Sequence, residues 1–125
     1  MIRLNDHLDR ELLLKCVPKR IISTVPSITE LLVDLGLRAH IVGVTKFCVH
    51  PNNIKKEITQ IGGTKTLDVD KINGLKPDLV IANKEENDKA QIENVAQFYN
   101  VFITDIKTHS DAINFISEIG DFLNV

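Results

Sequence analysis

From residue 18 onward, short β-branched apolar runs alternate with stretches of helical period. Lys19-Arg20-Ile21-Ile22-Ser23-Thr24-Val25 is one such run, stopped by Pro26, and predicts a buried strand. Ser27-Ile28-Thr29-Glu30 follows with the spacing of a capping box, which predicts Ser27 as N-cap and Glu30 three positions on. Ile28, Leu31, Leu32 and Leu35 share one helical face, and Gly36 is placed to end that helix. Ile41-Val42-Gly43-Val44 predicts a second strand. Residues 45–58, weakly periodic and holding one proline, predict a loop with a helical turn near Ile54–Glu57. Ile58–Ile61 predicts a short strand before Gly62-Gly63, and Asp68–Leu75 a short helix with Val69, Ile72 and Leu75 inward. Leu79-Val80-Ile81-Ala82 is the most uniformly apolar run and predicts a strand buried on both faces. A helix over Asn87–Tyr99, with Ile92, Val95, Ala96 and Tyr99 inward, leads to a strand at Val101–Thr104. The last helix, Asp111–Leu123, shows Ile113, Ile116, Ile119, Gly120 and Leu123 on one face.

Strands alternating with helices predict right-handed crossovers and an α/β fold. The expected form is a Rossmann-like, three-layer domain around a mostly parallel sheet of about four or five strands. Before Pro18 the pattern changes. Ile2-Arg3-Leu4 and Glu11-Leu12-Leu13-Leu14 flank a polar turn, which predicts a hairpin over residues 1–17. A short helix is the rival there, because Leu8, Leu12 and Leu13 can share a face. Internal repeats, low-complexity tracts and long linkers are absent from the sequence.

Composition narrows the class. At 125 residues with 43% hydrophobic and 26% charged side chains, the chain has the size and balance of one domain with its own core. A net charge of -2 and 5% aromatic content, with no tryptophan, give no electrostatic or stacking basis for nucleic acid. No apolar run is long enough to span a bilayer. The acidic N-terminus lacks the apolar core of a signal peptide, and Lys15 spoils Leu12-Leu13-Leu14-Lys15-Cys16 as a lipoprotein anchor. Cys16 and Cys48 lie far apart without a second pair, which predicts two buried thiols rather than a zinc ribbon or redox motif, with a disulfide the alternative.

In such sheets, ligands bind beyond the carboxyl ends of the strands. Four polar or glycine-containing segments fall there: Pro26-Ser27, Thr45 to His50, Gly62 to Thr66 and Asn83 to Asn87. Nucleotide and hydrolase signatures are missing. Gly62-Gly63-Thr64-Lys65-Thr66 has the wrong spacing for a P-loop, and no GxGxxG, GxSxG or HExxH occurs. Cys48 and His50, two apart, would face the same way in an extended segment, as a nucleophile pair or half of a soft-metal site. Without further ligands a cleft-lining turn is the preferred reading, so neither catalytic nor metal-ligating residues are assigned. Lys84-Glu85-Glu86 reads as a solvated helix start.

Pro18-Lys19-Arg20-Ile21-Ile22-Ser23, Pro26-Ser27-Ile28-Thr29-Glu30-Leu31-Leu32, Ile61-Gly62-Gly63-Thr64 and Leu75-Lys76-Pro77-Asp78-Leu79-Val80-Ile81-Ala82, in that order, resemble the class III periplasmic binding proteins. These are the cobalamin, haem and ferric-siderophore receptors of ABC importers. Asp6-His7-Leu8-Asp9-Arg10 resembles the family's leading hairpin, with Asp9 where glycine is usual, and the segments at 45–51 and 83–87 resemble its cobalamin-receptor-like branch, the helical-backbone metal receptors. The resemblance implies an N-terminal lobe over 18–108, with 109–125 starting a spine helix that would lead to a second lobe. It implies a non-enzymatic binding domain for a metal chelate, a corrinoid first and haem or a ferric siderophore next, without a resident cofactor. Phe47 would stack on the chelate, and Ser27, Lys46, His50, Thr64, Lys65, Asn83 and Lys84 would offer hydrogen bonds or charge. Asp70 would dock on an ABC permease. A half-cleft implies some tendency to form a homodimer. The location implied is periplasmic or at the cell envelope; the absent leader points instead to a truncated chain or a cytoplasmic variant. The rival class is an intracellular α/β enzyme or regulatory domain acting on a small phosphorylated or nucleotide ligand.

Overall fold

Residues 2–48 and 54–123 are described in a computed structural model of the chain. Strands β1 (Ile2–Asn5) and β2 (Glu11–Leu14) pair antiparallel, so the N-terminal segment is a hairpin and not a helix. Five further strands form one parallel sheet: β3 (Ile21–Ser23), β4 (Ile41–Val44), β5 (Thr59–Gln60), β6 (Leu79–Asn83) and β7 (Val101–Thr104). Their spatial order is β5-β4-β3-β6-β7. The winding therefore reverses at β3, the kind of position beside which open α/β sheets bind ligands.

Alternation along the strands divides the core. Ile21, Leu79, Ile81 and Phe102 face α1 (Pro26–Asp34), α5 (His109–Leu123) and the hairpin. Ile22, Val80, Ala82, Val101 and Ile103 face α3 (Val69–Leu75) and α4 (Lys89–Ala96). A short helix α2 (Ile54–Glu57) precedes β5. On the first face Phe102 packs its ring 5.7 Å from Phe115 and 5.4 Å from Phe122. The edge of His7 also meets the Phe102 and Phe115 rings.

Helix ends follow local chemistry, with one displacement. Gly36 takes φ 82°, its N–H bonds to Val33 O and that of Leu37 to Leu32 O, both at 3.0 Å, closing α1 in a Schellman motif. Asp68 and Asp88 cap α3 and α4 by accepting from the N–H groups of Lys71 and Gln91. Ser27 is not a cap. Pro26, which has no N–H to satisfy, begins α1 after Val25, and this leaves Ser27 exposed within the first turn. The capping box belongs to α5 instead. Thr108 Oγ1 accepts from the Asp111 N–H, and the Asp111 carboxylate accepts from the N–H groups of Lys107 and Thr108. Those bonds, Lys107 foremost, hold the Asp111 carboxyl below its ordinary value.

Other expectations shift for tertiary reasons. The α4 helix starts at Lys89, not Asn87, and α5 at His109, not Asp111. The buried stripe of α5 is Phe115, Ile119, Phe122 and Leu123, while Ile113 and Ile116 lie exposed. The aromatic layer around Phe102 selects the phenylalanines over the isoleucine stripe. Cys48 is buried, but Cys16 is exposed in the bend just after β2.

The turn after β5 is tightly wound. Gly63 and Thr66 exchange backbone bonds at 3.0 and 3.2 Å, and Gly62 adopts φ 98°. A Cβ on Gly62 would stand 2.4 Å from the Thr66 carbonyl oxygen, so the backbone itself would have to move. Gly62→Ala is therefore expected to lower stability by about 1–3 kcal/mol, measured by urea unfolding. An unchanged midpoint would show that the turn relaxes freely.

Candidate functional site

The loops at the carboxyl ends of the strands meet on one side chain, Asn87. It is buried (3% exposed) and sits just before α4. Its Nδ2 donates to the carbonyls of Thr24 at 3.1 Å and Thr64 at 2.9 Å. Its Oδ1 accepts from the Asn83 N–H at 2.8 Å and lies 2.9 Å from the Thr24 hydroxyl. All four hydrogen-bonding positions of the amide are thus in use. They join the loop after β3, the turn at 62–67 and the loop after β6. Gln91 of α4 adds a bond from the Leu67 N–H, and the Lys46 N–H, after β4, donates to Gly62 O at 2.9 Å.

Several of the expected ligand residues come together on this platform. Phe47 is 56% exposed, with the Lys46 ammonium 5.2 Å from its ring centre. A Cβ placed on Gly63 would lie 3.1 Å from the Phe47 ring, so the ring rests beside the Gly62-Gly63 turn. Lys65 reaches across to the carbonyls of Glu85 and Asn87 at 2.9 and 3.2 Å. Thr64 is half-buried and gives its carbonyl to Asn87. Lys84 is exposed, 4.0 Å from Asp105.

Asn83 is placed here but is occupied internally. Its Oδ1 accepts from the Glu85 and Glu86 N–H groups, and its Nδ2 donates to Thr104 Oγ1. It shapes the loop rather than presenting its amide. Ser27 is exposed in the first turn of α1. His50 lies outside the described residues. Asp70 is exposed in the first turn of α3. Among the described residues no three His, Cys, Asp or Glu side chains are grouped to hold a metal ion.

The sequence does not single out the organising residue. Asn87 reads there as a polar helix start, and nothing local marks it as buried. Thr24, fully buried beside it, reads as part of the first strand.

A doubly wound sheet with polar loops locked together at its switch point is an architecture whose strand ends commonly take up ligands. The family described as "Periplasmic binding protein" matches residues 21–123, and the chain belongs to that family. It is 32% identical to an uncharacterised ABC transporter substrate-binding lipoprotein of Bacillus subtilis, over 96% of this chain and 39% of the relative. Among solved structures it is similar to the periplasmic vitamin B12 binding protein of Vibrio cholerae, at 26% identity and a TM-score of 0.77 over 85% of this chain and 42% of that one. A periplasmic heme binding protein from Pseudomonas aeruginosa matches at 25% identity and a TM-score of 0.77, over 86% of this chain and 39% of that one. The chain thus spans 39–42% of the length of these proteins. The homodimer expected from the sequence finds no support in these comparisons. No described helix is long and apolar enough to cross a membrane.

Replacing Asn87 with alanine leaves the Thr24 and Thr64 carbonyls and the Asn83 N–H short of a partner. At about 1–3 kcal/mol for each buried group left unpaired, Asn87→Ala is expected to cost roughly 3 kcal/mol or more in chemical denaturation. Amide exchange should rise together in the loops after β3, β5 and β6. A rise confined to the β6 loop would show that the three are not coupled through this side chain.

Proposed function

We propose that this chain is the N-terminal lobe of the substrate-binding component of an ABC importer for a metal chelate. The corrinoid class is preferred, with haem and ferric siderophores as the alternatives. Residues 18–108 form the lobe and α5 begins the spine that carries the opposite wall of the cleft. The site of action is the outer side of the cytoplasmic membrane.

The observation that carries this reading is the exposed Phe47 ring, seated beside a glycine turn on a platform whose loops are internally bonded. Such a surface is preorganised: a flat macrocycle can settle on it without ordering loops first. Lys46 and Lys84 supply charge at the rim, and Thr64, Lys65 and Ser27 complete the polar set. Metal enters inside its own chelate as cargo, so the lobe needs no ligand cluster of its own. Asp70, exposed on α3, is the proposed contact to the permease.

A panel of corrinoids, haem and ferric siderophores titrated against a chain extended to the length of the relatives tests the reading. Saturable binding of one chelate class is expected, and none for all three would overturn it. In that chain Phe47→Ala should keep its unfolding midpoint and weaken binding by roughly fivefold to tenfold, as for a lost stacking contact of about 1 kcal/mol. A large stability loss would place Phe47 in the core instead. Asp70→Arg should reduce transport through the cognate permease while sparing chelate affinity; unchanged transport would remove Asp70 from the docking surface.

A further inference from the structure

A cavity of about 550 Å³ adjoins the strand-end loops at Asn83, Lys84 and Asn87 and runs from the loop after β6 down the length of α4. Its third wall is the hairpin tip, held over β7 by the His7 N–H and the Arg10 guanidinium, which donate to the Ile103 and Val101 carbonyls, and by the Asp6 carboxylate, which accepts from the Ile103 N–H. The volume lies within the ~300–1,000 Å³ typical of small-molecule sites. Leu8, Ile92, Ala96 and Ile103 supply an aliphatic strip along it, beside the polar Asn83, Asn87 and Gln97.

The charge on its rim is one-sided. Arg10, Lys84 and Lys89 stand there against a single acid, Glu93. Arg10 is committed to the buried Asp6 carboxylate at 3.2 Å. Lys84 and Lys89 are only loosely paired, at 4.0 Å to Asp105 and 3.9 Å to Glu93. Two adjustable ammonium groups therefore flank the α4 N-terminal end of an apolar trough.

We propose that this cavity is a second binding site, for an amphipathic carboxylate. The apolar body lies along Leu8, Ile92, Ala96 and Ile103, and the carboxylate meets Lys84 and Lys89. A cation would face the wrong charge, and a neutral apolar molecule would leave both ammonium groups without gain. The site adjoins the Phe47 platform, with Asn83, Lys84 and Asn87 along the shared border, but its apolar body lies on the far side of them, between α4 and the hairpin tip.

Fluorescence titration of the 125-residue chain with dansyl-undecanoate and with its methyl ester tests this. Saturable binding is expected, about fivefold or more tighter for the acid than for the ester. Ala96→Trp, which fills the trough, should weaken both by at least about tenfold. Should that variant fail to fold, the exposed pair Lys84→Gln with Lys89→Gln decides: it should bring the acid down to the ester's affinity. Methyl NMR shifts should fall on Ile92, Ala96 and Ile103. No saturable binding, equal affinity for acid and ester, or shifts confined to the Phe47 and Gly63 region would each overturn the proposal.

Discussion

The buried amide of Asn87 is the constraint on which the functional end of this molecule depends. A parallel sheet leaves its strand-end loops without ladder partners, and three of them must be held by something other than the sheet. One side chain with two donors and two accepting positions does this at the point where the winding reverses. Because the amide is buried, each bond is costly to lose, and the loops are coupled as a unit rather than fixed singly. Lys65 and Gln91 extend the same network outward.

The opposite problem, an open sheet edge, is solved by the hairpin. β7 is an edge strand, and unpaired edges invite association. The hairpin tip covers it with Asp6, a buried carboxylate that accepts from the N–H groups of Leu8, Arg10 and Ile103 and pairs with the Arg10 guanidinium. His7 continues the seal. Its Nδ1 accepts from the Asp105 N–H, which leaves the proton on Nε2 for Glu118 on α5, 2.9 Å away. The hairpin thereby ties β7 to the middle of α5, at Phe115 and Glu118. By standing off from α4 it also leaves the aliphatic trough between them.

The two devices divide the labour. One presents a rigid surface at the strand ends, with Phe47 as its exposed aromatic; the other covers the edge strand β7. Rigidity at the first place and closure at the second are what a lobe needs if it is to meet a ligand without reorganising.

Strand and helix order, the parallel sheet and the leading hairpin were legible in the sequence, because period-2 and period-3.6 apolar patterns report burial directly. The left-handed Gly36 and the caps at Asp68 and Asp88 are set equally locally, by backbone groups within a few residues. Tertiary structure decided the rest. Pro26 displaced the expected cap at Ser27, and packing on Phe102 chose Phe115 and Phe122 over Ile113 and Ile116 on a helix where both stripes were available. Asn83, exposed by its position in the chain, turned inward, while Asn87, a plain polar residue in sequence, became the buried junction. For Asn87 the physical reason is distance along the chain: its partners Thr24 and Thr64 lie 63 and 23 residues away, and no local pattern carries that information.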